Sequence, residues 1–178
     1  MKADLKKLEI ARLLPNRKIQ RRVAELARKI NRDYRDKNLT IVVVLKGALM
    51  FGADLIRRLT VPVVLETVSA SSYQGTTRKK IHVQSISPKS TSKRDILIVD
   101  DILDTGRTLA TLLKSFRRLK PRSIRTCVLL DKKIAAKKFA RADYVGFSVP
   151  DCFIVGYGLD FNGRCRNLPY VGYLKNSS

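Results

Sequence analysis

Two short runs of this chain are wholly apolar and rich in β-branched residues: Ile41 to Leu45 and Ile96 to Val99. An unbroken apolar run suits a strand buried on both faces, as in a parallel sheet, better than a half-exposed one. Ile124 to Leu130 predicts a third apolar strand and Val61 to Val68, which partly alternates, a fourth; Asp143 to Val149 and Phe153 to Val155 read as short strands around Pro150-Asp151. Between them the period changes. Ile19, Val23, Leu26, Ala27 and Ile30 mark one face of a helix whose other side carries Arg21, Arg22, Arg28 and Lys29. Phe51, Leu55 and Leu59 mark a second helix, and Leu109, Leu112, Leu113 and Phe116 a third that begins near Thr108 and ends at Lys120-Pro121. Met1 to Pro15 is mixed and basic and reads as a lead-in segment. From Ser69 to Arg94 the periodicity dissolves into Ser, Thr, Gly and Lys, which fits either a linker or an active-site lid. Within it, Ile81, Val83 and Ile86 fit a hairpin return strand with His82, the only histidine, facing outward.

Composition narrows the class. A chain of 178 residues with 44% hydrophobic content suits one domain with a sizeable core. Its apolar runs are far shorter than the roughly 18 residues that span a bilayer, and no signal-peptide pattern opens it, so a cytoplasmic protein with no membrane partner is expected. Cys127, Cys152 and Cys165 are widely spaced and form no C-x-x-C pair, which indicates neither a disulfide framework nor a zinc site. Thirty-seven basic against 15 acidic residues give a net charge of +22, enough to raise affinity for any polyanion. Because these residues are spread along helices and are not clustered with aromatics, a solvated surface that steers an anionic substrate is favoured over a nucleic-acid interface; nucleic acid is expected to bind only non-specifically, if at all.

The candidate chemistry lies at strand ends. After Val99 come Asp100, Asp101 and Asp104, then Thr105, Gly106, Arg107 and Thr108 at the start of a helix. A lone Asp there would read as turn or N-cap chemistry. Three acids in five positions, next to backbone N–H groups and hydroxyls that suit a phosphate, fit instead a substrate with both phosphate and hydroxyls, with magnesium mediating where charges would clash. Lys46-Gly47 follows another strand, where a glycine beside a cation lets N–H groups and ammonium converge on one anion. Asp131-Lys132-Lys133 follows a third and reads, on its own, as a solvated turn. In the closing aromatic and glycine-rich run, Asp160 and Arg166 would ordinarily form a salt-bridged core edge.

The segment D-D-I-L-D-T-G-R-T, from Asp100 to Thr108, resembles the phosphoribosyl-pyrophosphate (PRPP) signature of type I phosphoribosyltransferases, and L-K-G, S-S-Y-Q-G-T-T, L-L-D-K and the closing run resemble the hypoxanthine-guanine branch of that family. The resemblance covers about residues 41–174. It implies a type I phosphoribosyltransferase fold: a central parallel twisted sheet flanked by helices, forming a core of about residues 17–150, under a small hood from about residues 1–16 and 151–178. It implies PRPP contacts from Lys46, Gly47, Asp100, Asp101, Asp104 to Thr108 and Arg166, with a non-proline cis peptide before Lys46. Asp100 and Asp101 would hold the ribose hydroxyls, and Asp104 would be the general base near N7 of the purine. Lys132 would donate to the 6-oxo group, Phe153 would stack on the ring, the backbone of Ile154 would meet its edge, and Asp160 would lie beside it. Ser72 and Tyr73 would belong to a mobile loop, about residues 70–94, that closes over the reaction centre. Magnesium is the implied cofactor, near Asp160, Asp100 and Asp101. The implied ligands are PRPP, hypoxanthine, guanine, IMP, GMP and pyrophosphate, and the implied assembly a homodimer or homotetramer.

Overall fold

The computed structural model describes residues 9–70, 81–82, 88–134 and 139–175. Strand β1 (Ile10–Leu14) leads into helix α1 (Asn16–Asp33), then β2 (Leu39–Leu45), α2 (Leu49–Ile56), β3 (Val63–Ala70), β4 (Ile81–His82), the short α3 (Pro88–Thr91), β5 (Asp95–Leu103), α4 (Arg107–Arg117), β6 (Ser123–Lys133), β7 (Tyr144–Pro150), β8 (Ile154–Val155) and β9 (Val171–Leu174). The larger sheet has the order β4-β3-β2-β5-β6-β7, parallel from β3 to β7, with β4 antiparallel at one edge.

The apolar runs are uninterrupted because both faces of this sheet are covered. Ile41, Val43, Leu97, Val99, Cys127 and Leu129 face α1 and α2, whose Ile19, Val23, Leu26, Ile30, Phe51 and Leu55 are buried against them. Val42, Val44, Ile96, Ile98 and Val128 face α4 through Leu109, Leu112 and Phe116. Each fully buried Leu, Ile or Phe side chain contributes roughly 1.5–3 kcal/mol relative to exposure, and the two faces share one sheet. The chain winds outward from β2 to β3, then returns to the other side of β2 to make β5. Strand order therefore reverses between β2 and β5, and the carboxyl ends of these two strands flank the crevice in which open α/β sheets bind ligands.

The described end of the lead-in segment is a strand that the sequence did not announce. Its Ile10–Leu14 forms β1, which pairs antiparallel with β9; β9 pairs in turn with β8, making a second sheet of order β1-β9-β8. Ile154, Tyr157, Leu159 and Val171 from this layer join the core on the α1 and α2 side. The fourth apolar run begins later than expected, at Val63, and ends at Ala70, where Ser69 and Ala70 pair with His82 and Ile81 as the hairpin return predicts. Most of the expected lid, including Ser72, Tyr73 and the basic Arg78 to Lys80, lies outside the described residues.

Candidate active site

Two loops meet at the switch point. The first follows β2, where the peptide between Leu45 and Lys46 is cis. Gly47 here has no room for a side chain: a Cβ would lie 1.7 Å from Oδ2 of Asp101. The glycine thus lets the backbone lie directly against the half-buried carboxylate of the neighbouring strand. The second loop follows β5. Gly106 adopts φ +79°, a left-handed conformation that side-chain-bearing residues rarely take, and caps α4 without any side-chain acceptor. The first bond of this helix runs from the N–H of Ala110 to the carbonyl of Gly106 at 2.9 Å. The N–H groups of Arg107, Thr108 and Leu109 are therefore free of helical partners and aim out of the helix start, which suits a phosphate.

The loop is braced from behind. Phe139 N–H donates to the carbonyl of Thr105 at 2.8 Å, and the Arg107 guanidinium lies 4.8 Å from the Phe139 ring centroid.

Between the loops is a cavity of about 690 Å³ whose walls include Lys46, Gly47, Asp100, Asp101, Asp104, Thr105, Gly106, Arg107, Thr108, Asp160 and Arg166. All ten residues implied as PRPP contacts line it, and so does Asp160. Asp100 is 7% exposed, and its Oδ1 accepts the N–H of Asp101 at 3.0 Å. Asp101 in turn accepts the N–H of Ile102 at 2.8 Å. Burial pushes the Asp101 carboxyl above its ordinary value, partly offset by hydrogen bonding with Asp100 and the charge of Arg166.

Lys132, at the end of β6, lies beside this cavity without lining it. Its ammonium is 3.2 Å from Asp151 and 3.9 Å from Asp104, so base-reading candidate and general-base candidate are neighbours. Asp151 gave no signal of its own in the sequence beyond following a proline.

The hood side supplies the remaining residues. Arg166 pairs with Asp160 at 2.6 Å and donates to the Gly158 carbonyl at 2.6 Å, while Asp160 Oδ2 accepts the Gly163 N–H at 2.7 Å. Phe153 is 43% exposed and meets Phe161 edge-on, with centroids 5.6 Å apart. Much of the ring is thus left accessible to solvent. Leu174 N–H donates to the carbonyl of Phe153; by antiparallel alternation the next residue, Ile154, turns its own N–H and C=O toward the open edge of β8.

One set of positioning residues was not legible locally. Gly158 has φ +103°, and a Cβ there would lie 2.1 Å from the carbonyl oxygen of Gly47, so the hood rests directly on the first loop. The adjoining Tyr157 hydroxyl donates to Asp54 on α2, which also accepts from Gln20 of α1 at 2.6 Å and pairs with Arg57. Burial alone would raise the Asp54 carboxyl, but the bonds from Gln20 and Tyr157 and the charges of Arg57 and Arg58 hold it below the usual carboxylate value. The G-Y-G triplet was the only hint in the sequence.

A parallel sheet with an acidic strand end and an anion-binding turn at its switch point defines a sugar-phosphate-binding α/β protein. Comparison with known proteins refines this. Residues 9–162 match the phosphoribosyl transferase domain family. The chain is 44% identical over 177 residues to a hypoxanthine-guanine phosphoribosyltransferase of Bacillus subtilis, covering 98% of this chain and 96% of the relative. It is 41% identical to the enzyme of the same name from Dictyostelium discoideum, with 92% and 94% covered. A crystal structure of a Staphylococcus aureus hypoxanthine phosphoribosyltransferase superposes with TM-score 0.86 at 38% identity, covering 99% of this chain and 98% of that one. The chain belongs to the phosphoribosyltransferase family, in its hypoxanthine-guanine branch.

Proposed function

We propose that this transferase moves the 5-phosphoribosyl group of PRPP to hypoxanthine or guanine, releasing pyrophosphate and giving IMP or GMP for purine salvage. The observation that carries the reading is the single cavity that joins the Lys46-Gly47 turn, the acidic end of β5 and the start of α4, with Lys132 3.9 Å from Asp104 at its margin.

In this reading the N–H groups of residues 105–108 hold the 5′-phosphate, Asp100 and Asp101 accept from the ribose hydroxyls, and Lys46, Gly47 and Arg166 hold the diphosphate. The bond from the anomeric carbon to the diphosphate oxygen breaks while the bond to purine N9 forms. Asp104 takes the proton that leaves N7, so the ring does not accumulate positive charge. Phe153 offers a stacking face worth roughly 1–3 kcal/mol that is tolerant of base identity. Selectivity for a 6-oxo purine then rests on Lys132 and the Ile154 backbone. Ser72 and Tyr73 would close over the centre and exclude water.

Magnesium fits the donor set. The acids are hard oxygen donors, and among the described residues no group of three or more ligating side chains converges into a cage. That suits an ion held by one or two carboxylates and by substrate phosphates. Asp100 and Asp101 would serve one ion and Asp160 a second, for which Asp160 must share the oxygen now paired with Arg166. When bound, the metal neutralises the departing diphosphate.

We read the chain as one phosphoribosyltransferase domain, core about 17–150 and hood about 1–16 and 151–178, acting as a homodimer or homotetramer. Leu49, Met50 and Leu65 on α2 and β3 provide exposed apolar surface for assembly. The cytoplasm is our reading of its location, consistent with three free cysteines. The test is incubation with PRPP, magnesium and each free base in turn. Nucleotide from hypoxanthine and guanine is expected; no nucleotide from either base would overturn the reading.

A further inference from the structure

The excess of positive charge has no role in the site just described, and the fold gathers much of it at the opposite end of the sheet. Because β3, β2, β5, β6 and β7 are parallel, the segment entering each of them lies at the same end, far from the cavity. Every one of these five connections carries exposed cations: Arg57 before β3, Arg35 and Lys37 before β2, Lys93 before β5, Arg118 and Lys120 before β6, and Arg141 before β7. Lys93 N–H donates to the Lys120 carbonyl and Arg122 N–H to the Arg94 carbonyl, so two of the connections are bound side by side. The acids at this end are few, and two of them are already engaged by the protein. Asp95 is taken by Arg122 and Ser123, and Asp143, though exposed, accepts the N–H and hydroxyl of Thr126 at 2.8 Å each; Asp36 is exposed too, so the rim's cations outnumber its exposed acids. Arg35, Lys93, Arg118, Lys120 and Arg141 have no acidic partner among the described residues. Beside them the last turn of α1 and the start of β3 enclose a cleft of about 770 Å³ lined by Arg28, Arg32 and Arg35.

We propose that this amino-terminal rim of the sheet is a nucleic-acid-binding surface that grips the phosphate backbone without reading sequence. The dimensions agree. Five strand ends spaced by about 4.8 Å make an edge of about 19 Å. A duplex laid along it presents one charge per about 1.7 Å, roughly eleven phosphates over that length and about half of them on the side facing the rim. Among the described residues the rim offers exposed guanidinium and ammonium groups but no exposed aromatic ring, so it suits the outside of a duplex, not unstacked bases. A ligand here leaves the cavity at the other end of the strands open.

The experiment compares two variants of the full chain with the same final net charge. The rim variant carries Arg35→Glu, Lys93→Glu, Arg118→Glu and Lys120→Glu. The control carries Arg17→Glu, Lys18→Glu, Arg21→Glu and Arg164→Glu, all exposed positions away from the rim. Binding of a labelled DNA duplex of arbitrary sequence, about 20 base pairs long, is followed against salt. The unaltered chain should bind with a steep salt dependence, losing about a thousandfold between 50 and 200 mM if six phosphates are neutralised. The rim variant should bind at least about tenfold more weakly than the control, with a slope flatter by about 3 to 4, while both keep nucleotide synthesis. Equal losses in the two variants would mean that net charge alone attracts the duplex, and the proposal would fail. It would fail equally if a glutamate polymer displaced the duplex at equal charge concentration, since the rim would then be a site for acidic protein.

Discussion

Strand β5 carries aspartates at both ends, and the two ends treat them in opposite ways. Asp95, at the entry, is 3% exposed and bound by the Arg122 guanidinium and the Ser123 hydroxyl; although burial alone would raise its carboxyl, these partners hold it below the ordinary value of 3.8. Asp101, near the exit, is half-buried beside another acid and the bare backbone of Gly47, has no ion pair among the described residues, and is raised. The same residue type on the same strand is satisfied where it supports the fold and left wanting where a ligand enters. A carboxylate without a cation of its own is available to hydroxyls and metal, at a cost in stability.

Substitutions test that division, beginning with the largest effect. Asp104→Ala should lower kcat by about 10²–10⁴ with PRPP affinity largely kept; near-normal turnover would remove it as the base. Asp95→Asn should cost about 2 kcal/mol, lowering Tm by roughly 4–8 °C, while kcat is unchanged. If turnover fell with Tm, the two ends of the strand would not be separable. Lys132→Ala should raise the KM for hypoxanthine about tenfold, roughly 1.4 kcal/mol, with the KM for PRPP little altered; equal shifts for both substrates would argue for a general loosening of the site. Asp101→Asn should move stability in the other direction, raising Tm by about 2–4 °C while nucleotide synthesis falls, and a lowered Tm would show that its burial is not a cost.

The pH response completes the contrast, and its sign differs at the two ends. Asp95 has a folded value below its unfolded 3.8, so its contribution is present above that pH and lost as pH falls through the folded value. Asp101 is raised, so its ionised form opposes folding and stability declines as pH rises from 3.8 through its folded value. Scanning Tm against pH should show the acid-side loss shrinking in Asp95→Asn and the decline on its upper side shrinking in Asp101→Asn. Identical curves for both variants would contradict the assignment.

Much of this was legible along the chain. The I-V-V-V-L and I-L-I-V runs announced buried strands because nothing on either face needed to be polar, and the acidic loop was readable because its carboxylates, glycine and helix start are contiguous. What escaped depends on long-range pairing. Ile10–Leu14 is short and half-buried, with a partner at Val171–Leu174, so no local period marks it. Asp54 and Tyr157 stand 103 positions apart. The basic rim was hidden for a related reason: its cations sit singly or in twos on separate connections, and only parallel topology brings them to one end.

The pairing of β1 with β9 also orders events in time. During synthesis β1 emerges first and finds no edge to join until β9 has left the ribosome, long after β2, β5 and β6 can already stack. The loops after β2 and β5 can therefore meet before the sheet that carries Ile154 is closed, and the hood is completed last.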